Sequence, residues 1–123
     1  MPTHFTAIAT YTARPDTADH VAALLPQLAE ASRAEPGNLS YSIARDLERP
    51  HVFTIVEVYT DADAFTAHRE SAHFAELGKQ QIIPLLESRV VVGYQGDDVL
   101  SAGTGAASDQ VGSTFDSDRI API

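Results

Sequence analysis

The chain has no cysteine, which excludes disulfides, thiolate metal sites, a cysteine nucleophile and iron–sulfur ligation from within the sequence. No apolar run approaches the roughly 18 residues that a membrane-spanning helix needs. The N-terminus lacks the basic-then-apolar pattern of a signal peptide, so a soluble, cytoplasmic protein is expected. Basic side chains are scarce: 8 Lys and Arg stand against 17 Asp and Glu, a formal net charge of -9. That surface repels phosphate backbones and anionic lipid, so neither nucleic acid nor membrane is an expected partner. Gly103-Thr104-Gly105 follows no clear strand and opens no helix, which excludes a dinucleotide loop there. Pro2 follows Met1 and has no free amine to serve as a terminal base. No internal repeat is evident.

What is present suits one domain. The 123 residues are 44% hydrophobic, enough for a packed core. Phe5 to Thr12 alternates, with Phe5, Ala7, Ala9 and Tyr11 on one face of a strand. Pro15-Asp16 ends it, and Asp16 is a candidate helix cap. Val21, Leu24, Leu25, Leu28 and Ala31 then follow a helical period through Pro26, where a bend is expected. Glu35-Pro36-Gly37 stops the helix.

Two strands follow around a polar loop ending at Pro50. Leu39, Tyr41, Ile43 and Arg45 share a face of the first; Phe53, Ile55, Glu57 and Tyr59 share a face of the second. Val52, Thr54, Val56 and Val58 make the opposite face apolar too, and a second copy of the sheet packing there predicts a homodimer. Asp61 opens a short helix carrying Phe65, His68 and Arg69, and Ser71 caps another running to about Leu86. Arg89 to Gln95 is the fourth strand. The order β, α, β, β, α, β predicts an α+β ferredoxin-like plait, a four-stranded antiparallel sheet with helices on one face. Residues 1–96 form this domain; 97–123 read as an acidic Gly/Ser/Asp-rich extension able to dock on a partner subunit.

Glu57 is an acid in a strand otherwise built of Val, Ile, Phe, Thr and Tyr, so burial would require a partner or a proton. His68 or His73 is the expected partner. One reading is a carboxylate-oriented imidazole acting as general base, with Tyr59 and Tyr41 supplying hydrogen bonds and aromatic walls. The other is a polar clasp tying strand to helix. Five residues separate His68 from His73, one too many for a shared helical face, and no third ligand is suitably spaced, so no metal site is expected. Arg45 is a candidate for an acidic substrate group or a salt bridge, and Asn38 for the turn first and a ligand second.

Glu35-Pro36-Gly37-Asn38-Leu39-Ser40-Tyr41, Phe53 through Glu57-Val58-Tyr59, Phe65-Thr66-Ala67-His68 and Ser71-Ala72-His73-Phe74 resemble successive signatures of the antibiotic biosynthesis monooxygenase family. The resemblance implies a dimeric α+β barrel, two sheets packed face to face. It covers about residues 3 to 95. Its members include cofactor-independent oxygenases of quinols and anthrones, haem-degrading oxygenases and a sugar-phosphate isomerase. The Asn, Trp and Tyr of the anthrone-oxidising type fall at Ile55, Tyr59 and Phe65, and the axial His of the haem-degrading type at Gly78; Phe5 to Ala13 lacks that type's Asn. Haem degradation is therefore not expected. The leading expectation is a cofactor-independent monooxygenase using dioxygen on a small aromatic, with His68, supported by Glu57, as base. The candidate site also includes His73, Tyr59, Tyr41, Asn38, Phe65 and Arg45. An isomerase or cyclase with the same acid–base pair, or a non-catalytic binder, are the alternatives.

Overall fold

The computed structural model describes residues 4–96 and the short strand Asp98–Val99. Strict alternation makes β1 (Phe5–Ala13), with every odd residue buried. A 3-10 turn at Pro15–Thr17 leads into α1 (Ala18–Arg33), followed by β2 (Asn38–Arg45) and β3 (Val52–Tyr59). Next come α2 (Ala62–Arg69), a nine-residue π-helix (Phe74–Ile82), a 3-10 turn at Ile83–Leu85, β4 (Leu86–Gln95) and β5 (Asp98–Val99). The sheet order is β2-β3-β1-β4-β5. All pairs are antiparallel, with Ala7 opposite both Glu57 and Gly93, and Tyr11 opposite both Phe53 and Arg89. This is the ferredoxin-like α+β plait, lengthened by one two-residue strand across a turn at Gly96, whose φ of 58° suits glycine. The docking expected of the extension falls on residues outside those described.

Several local expectations change. Thr17, not Asp16, precedes α1; its hydroxyl donates to the carbonyls of Arg14 at 3.1 Å and Leu85 at 2.8 Å, pinning the helix start to the entry of β4. Pro26 lies on the exposed side of α1, which runs through it. Leu39 does not share the inward face of Tyr41. The register slips between Asn38 and Ser40, and Leu39 is left 58% exposed on a bulge. The helix expected through Leu86 is a π-helix from Phe74, and its wide turns set Gly78 under the Phe74 ring, where a Cβ would stand 2.8 Å from Cδ1.

The core lies between the sheet's inner face and the helices. One cluster joins Tyr11, Phe53 and Ile55 to Val21, Leu25 and Leu28 of α1 and to Phe74 and Ile82; a smaller one joins Phe5 and Tyr59 to Phe65 of α2. Phe5 and Phe65 stack with centroids 5.0 Å apart. The other sheet face carries Ile8, Val56, Val58, Val90 and Val92 with no helix over them among the described residues, and Val90 is 48% exposed. At the edge of the smaller cluster, the Gly37 carbonyl accepts from the Thr60 amide at 2.9 Å, and a Cβ on Gly37 would collide with that of Ala64. Gly37→Ala is therefore expected to destabilise by about 1–3 kcal/mol through overpacking, read as a lower urea midpoint, with partial recovery on adding Ala64→Gly.

Candidate active site

The polar residues of the interior gather where the two core clusters meet. Glu57, on the inward face of β3, and His68, in the last turn of α2, are both buried. Asp61 caps α2 by accepting from the Ala64 amide at 2.8 Å, so the helix starts in the register that turns Phe65 and His68 inward. Tyr59, two residues beyond Glu57 on the same face, donates its hydroxyl to Glu57 Oε1 at 2.7 Å. Glu57 Oε1 is in turn 3.5 Å from His68 Nε2.

The other ring nitrogen of His68 meets a residue that sequence reasoning assigned only to a helix stop. Nδ1 lies 2.7 Å from Glu35 Oε2 and 3.5 Å from the Ser32 hydroxyl, both at the C-terminal end of α1. The same Glu35 oxygen takes His73 Nε2 at 2.5 Å. The signal for Glu35 was an acid at a helix C-terminus, where the dipole disfavours it unless a cation is near. His68 and His73 converge despite their spacing because the helix is interrupted between them. Ser71 donates to the His68 carbonyl at 2.7 Å and accepts from the Phe74 amide at 3.1 Å, ending one helix and starting the next. The suitably placed third group for a metal thus exists: ligand atoms of Glu35, His68 and His73 lie within 4.8 Å of one another.

Charges and burial set the proton affinities. Burial pushes the Glu57 carboxyl up, only partly opposed by the His68 charge and the Tyr59 hydrogen bond. Burial also pushes Glu35 up, but the hydrogen bonds and charges of His68 and His73 outweigh it and hold Glu35 below its ordinary value. Burial and the Glu57 charge raise the hydroxyls of Tyr59 and Tyr41 far above the usual range, which keeps both as neutral donors. Nδ1 of His68 faces Glu35, and Nε2 faces Glu57, a carboxyl that holds a proton more readily than usual.

Glu57 and His68 open on a cleft of about 270 Å³, part of it continuous with solvent. Ala9, Phe65, Phe74 and Val91 form its apolar walls. Tyr11, Arg69 and Arg89 add polar groups that the sequence did not single out as a site. Arg89 sits opposite Tyr11 in the sheet, hydrogen-bonds to its hydroxyl and lies 5.9 Å from its ring centroid. The alternation of β4 could have placed Arg89 inward, opposite Tyr11.

Of the residues expected at the site, Glu57, His68 and Phe65 line the cleft. Tyr59 stands behind Glu57, and His73 behind His68 through Glu35. Tyr41 is buried with its ring 6.2 Å from that of His68, its carbonyl held by Arg33 at 2.7 Å, and it does not line the cleft. Asn38 turns back to the Ser40 carbonyl at 3.1 Å. Arg45 is remote from the cleft: it pairs with Asp19 at 2.9 Å, donates to the Pro50 carbonyl at 2.5 Å and covers the Phe53 ring.

Comparison with known proteins follows the same lines. The model of a family described as antibiotic biosynthesis monooxygenase matches residues 4–80. The chain belongs to this family. Its fold is similar to that of PA3566 from Pseudomonas aeruginosa, 32% identical over 77% of this chain and 95% of that one, with a TM-score of 0.72. It is also similar to Rv0793 from Mycobacterium tuberculosis, 27% identical over 73% and 91% of the two chains, TM-score 0.68. A conserved protein of Methanosarcina mazei, 22% identical over 77% and 94%, shares the fold with a TM-score of 0.72. No curated protein matches the chain. The matched span contains Glu35, Glu57, His68 and His73.

The two carboxylates should answer pH in opposite senses. Glu35, lowered in the fold, contributes stability above its ordinary value of 4.5 that is lost as pH falls through its folded value. Glu57, raised in the fold, removes stability as pH rises from 4.5 towards its folded value. Glu35→Gln is expected to lose about 2 kcal/mol at neutral pH and to approach the wild type in acid. Glu57→Gln should gain on the wild type as pH rises. Urea unfolding between about pH 4 and 7 checks both, and a difference independent of pH in either variant contradicts the assignment.

Proposed function

We propose that this protein is a cofactor-independent monooxygenase of a small electron-rich aromatic, a quinol, phenol or anthrone, with His68 as general base. The observation that carries the reading is His68 held at one nitrogen by Glu35 while the other faces Glu57 on the wall of an apolar cleft. Glu35 fixes the ring through Nδ1, and Glu57 lies 3.5 Å from Nε2, the nitrogen that takes the proton on this reading. His73, one quarter exposed, continues the chain from Glu35 towards solvent and gives the proton a way out.

For an anthrone-type ring CH2, the steps balance without a protein redox group. Loss of one proton gives a carbanion that transfers an electron to dioxygen, and the radical pair joins as a C–O bond. The resulting hydroperoxide loses its remaining C–H proton, the O–O bond breaks, and a ketone and one water result. The protein supplies a base, an apolar enclosure and exclusion of bulk water. Phe65, Phe74, Ala9 and Val91 provide the enclosure.

His68→Gln, which keeps a polar side chain of similar reach, is expected to lower oxygen uptake by about 100-fold or more with the circular dichroism spectrum unchanged. Full turnover by this variant sinks the assignment. Product formation by the wild type with no oxygen consumed, followed on an oxygen electrode, moves the site to an isomerase or cyclase with the same base.

The reading includes a homodimer, in which a second copy covers Ile8, Val56, Val58, Val90 and Val92. A sheet face this apolar is disfavoured in water. Light scattering after size exclusion is expected to give twice the chain mass for the wild type and the single chain mass for Val56→Glu; a monomeric wild type removes the dimer from the proposal.

A further inference from the structure

Behind His68, three side chains converge that together make the donor set of a metal ion. Ligand atoms of Glu35, His68 and His73 lie within 4.8 Å of one another, with Glu35 Oε2 between His68 Nδ1 at 2.7 Å and His73 Nε2 at 2.5 Å. They come from three places in the fold, just past α1, the last turn of α2 and the cap of the π-helix, so helix packing rather than one loop sets their approach. Two imidazoles and a carboxylate suit first-row divalent metals, zinc among them. An ion about 2.0–2.2 Å from each atom needs ligand shifts of roughly 1 Å or less. The Glu35 and His73 side chains, 14% and 25% exposed, border solvent and give the ion a way in. A net charge of -9 draws cations towards the chain.

A second observation lies on the far side of His68. A histidine that ligates through one nitrogen commonly gives its other N–H to a carboxylate, which fixes the ring and strengthens the ligand. Glu57 Oε1 stands 3.5 Å from His68 Nε2 and is itself held by the Tyr59 hydroxyl at 2.7 Å. Neither Glu35 nor His73 lines the cleft to which His68 contributes. An ion here sits behind the cleft wall and acts on a substrate only through His68.

We propose that Glu35, His68 and His73 bind a divalent first-row metal ion, zinc in the first place, with Glu57 orienting His68 from the other side, and that the bound ion switches His68 off as a base. The switch rests on the proposed function; the site does not. With the ion on Nδ1, the neutral ring carries its proton on Nε2, facing Glu57, and has no lone pair left to take one from a substrate. Zinc thus regulates the base without entering the cleft.

Binding is measured first, apart from turnover. Calorimetric titration of chelator-treated protein with zinc chloride at neutral pH is expected to give one ion per chain with a Kd in the micromolar range or tighter. Cobalt(II) in its place should develop visible d–d absorption that zinc abolishes. Glu57→Gln is expected to weaken zinc about tenfold, as an outer partner does, and His73→Gln by more than the roughly 100-fold that bounds such partners. His73→Glu, which restores a ligand, recovers part of the affinity; circular dichroism confirms that each variant folds. Unchanged affinity in both His73→Gln and Glu35→Gln, or a wild type not saturated below millimolar zinc, overturns the site. Oxygen uptake by the wild type with a quinol should fall on adding one equivalent of zinc and return with EDTA, while the residual rate of His73→Gln ignores the same zinc. Uptake unaffected by bound zinc overturns the switch. Zinc held by these residues in a protein that consumes no oxygen upholds the site and removes the oxygenase reading, and the switch with it.

Discussion

The arrangement turns on one carboxylate, Glu35, which accepts from two imidazoles with a single oxygen. Without it His68, 2% exposed and ringed by Tyr59, Phe65 and Phe74, would have only Glu57 and the Ser32 hydroxyl, each at 3.5 Å, facing its two nitrogens. Burying such a ring is unfavourable unless each nitrogen is matched. Glu35 matches Nδ1, and in doing so ties the end of α1 to the last turn of α2 and the start of the π-helix. The three helical segments over the sheet are therefore connected by polar groups. A carboxylate at the C-terminus of α1 works against the helix dipole, and the two histidines supply the compensation.

The second constraint is the alternation of the inner strands. Glu57 and Tyr59 share a face because they are two residues apart, so the hydroxyl meets the carboxylate with no backbone adjustment. The same period puts Tyr11 opposite Arg89 across β1 and β4. Strand periodicity thus orders the cleft wall as acid on β3, phenol on β1 and cation on β4, and α2 lays His68 and Arg69 over it. Side chains of both signs lie in one small space: on top of burial, Arg89 lowers the Tyr11 hydroxyl while the Glu57 charge raises it, and Arg89 lowers Arg69.

That logic marks what the sequence could disclose. The inward sets of β1 and β3, the cap at Asp61 and the pairing of Glu57 with His68 were readable because each depends on a local period or on two neighbouring elements. Leu39 was not, since a bulge breaks the period of β2 by one residue. Arg45 kept its expected strand but lies near the start of α1, where Asp19 is within reach. Glu35 was missed for a different reason. Its partners are 33 and 38 residues away, and only the packing of α1 against the later helices brings them together. The spacing rule applied to His68 and His73 assumes a continuous helix, and Ser71 divides it.

The family signature marks the frame more than the reactive groups. At Ile55, Tyr59 and Phe65, where the anthrone-oxidising pattern has Asn, Trp and Tyr, this chain has two buried apolar side chains and a phenol whose hydroxyl is committed to Glu57. At Gly78 the ring of Phe74 already occupies the space a longer side chain would need. The polar side chains of the interior lie instead on the line Glu35, His68, Glu57, with Arg69 and Arg89 beside the same cleft. A base anchored by a carboxylate keeps its free nitrogen at a fixed place on the wall of an apolar cleft. On the proposed reading this matters most while the substrate anion passes an electron to dioxygen, because a proton returned early to that anion would quench it.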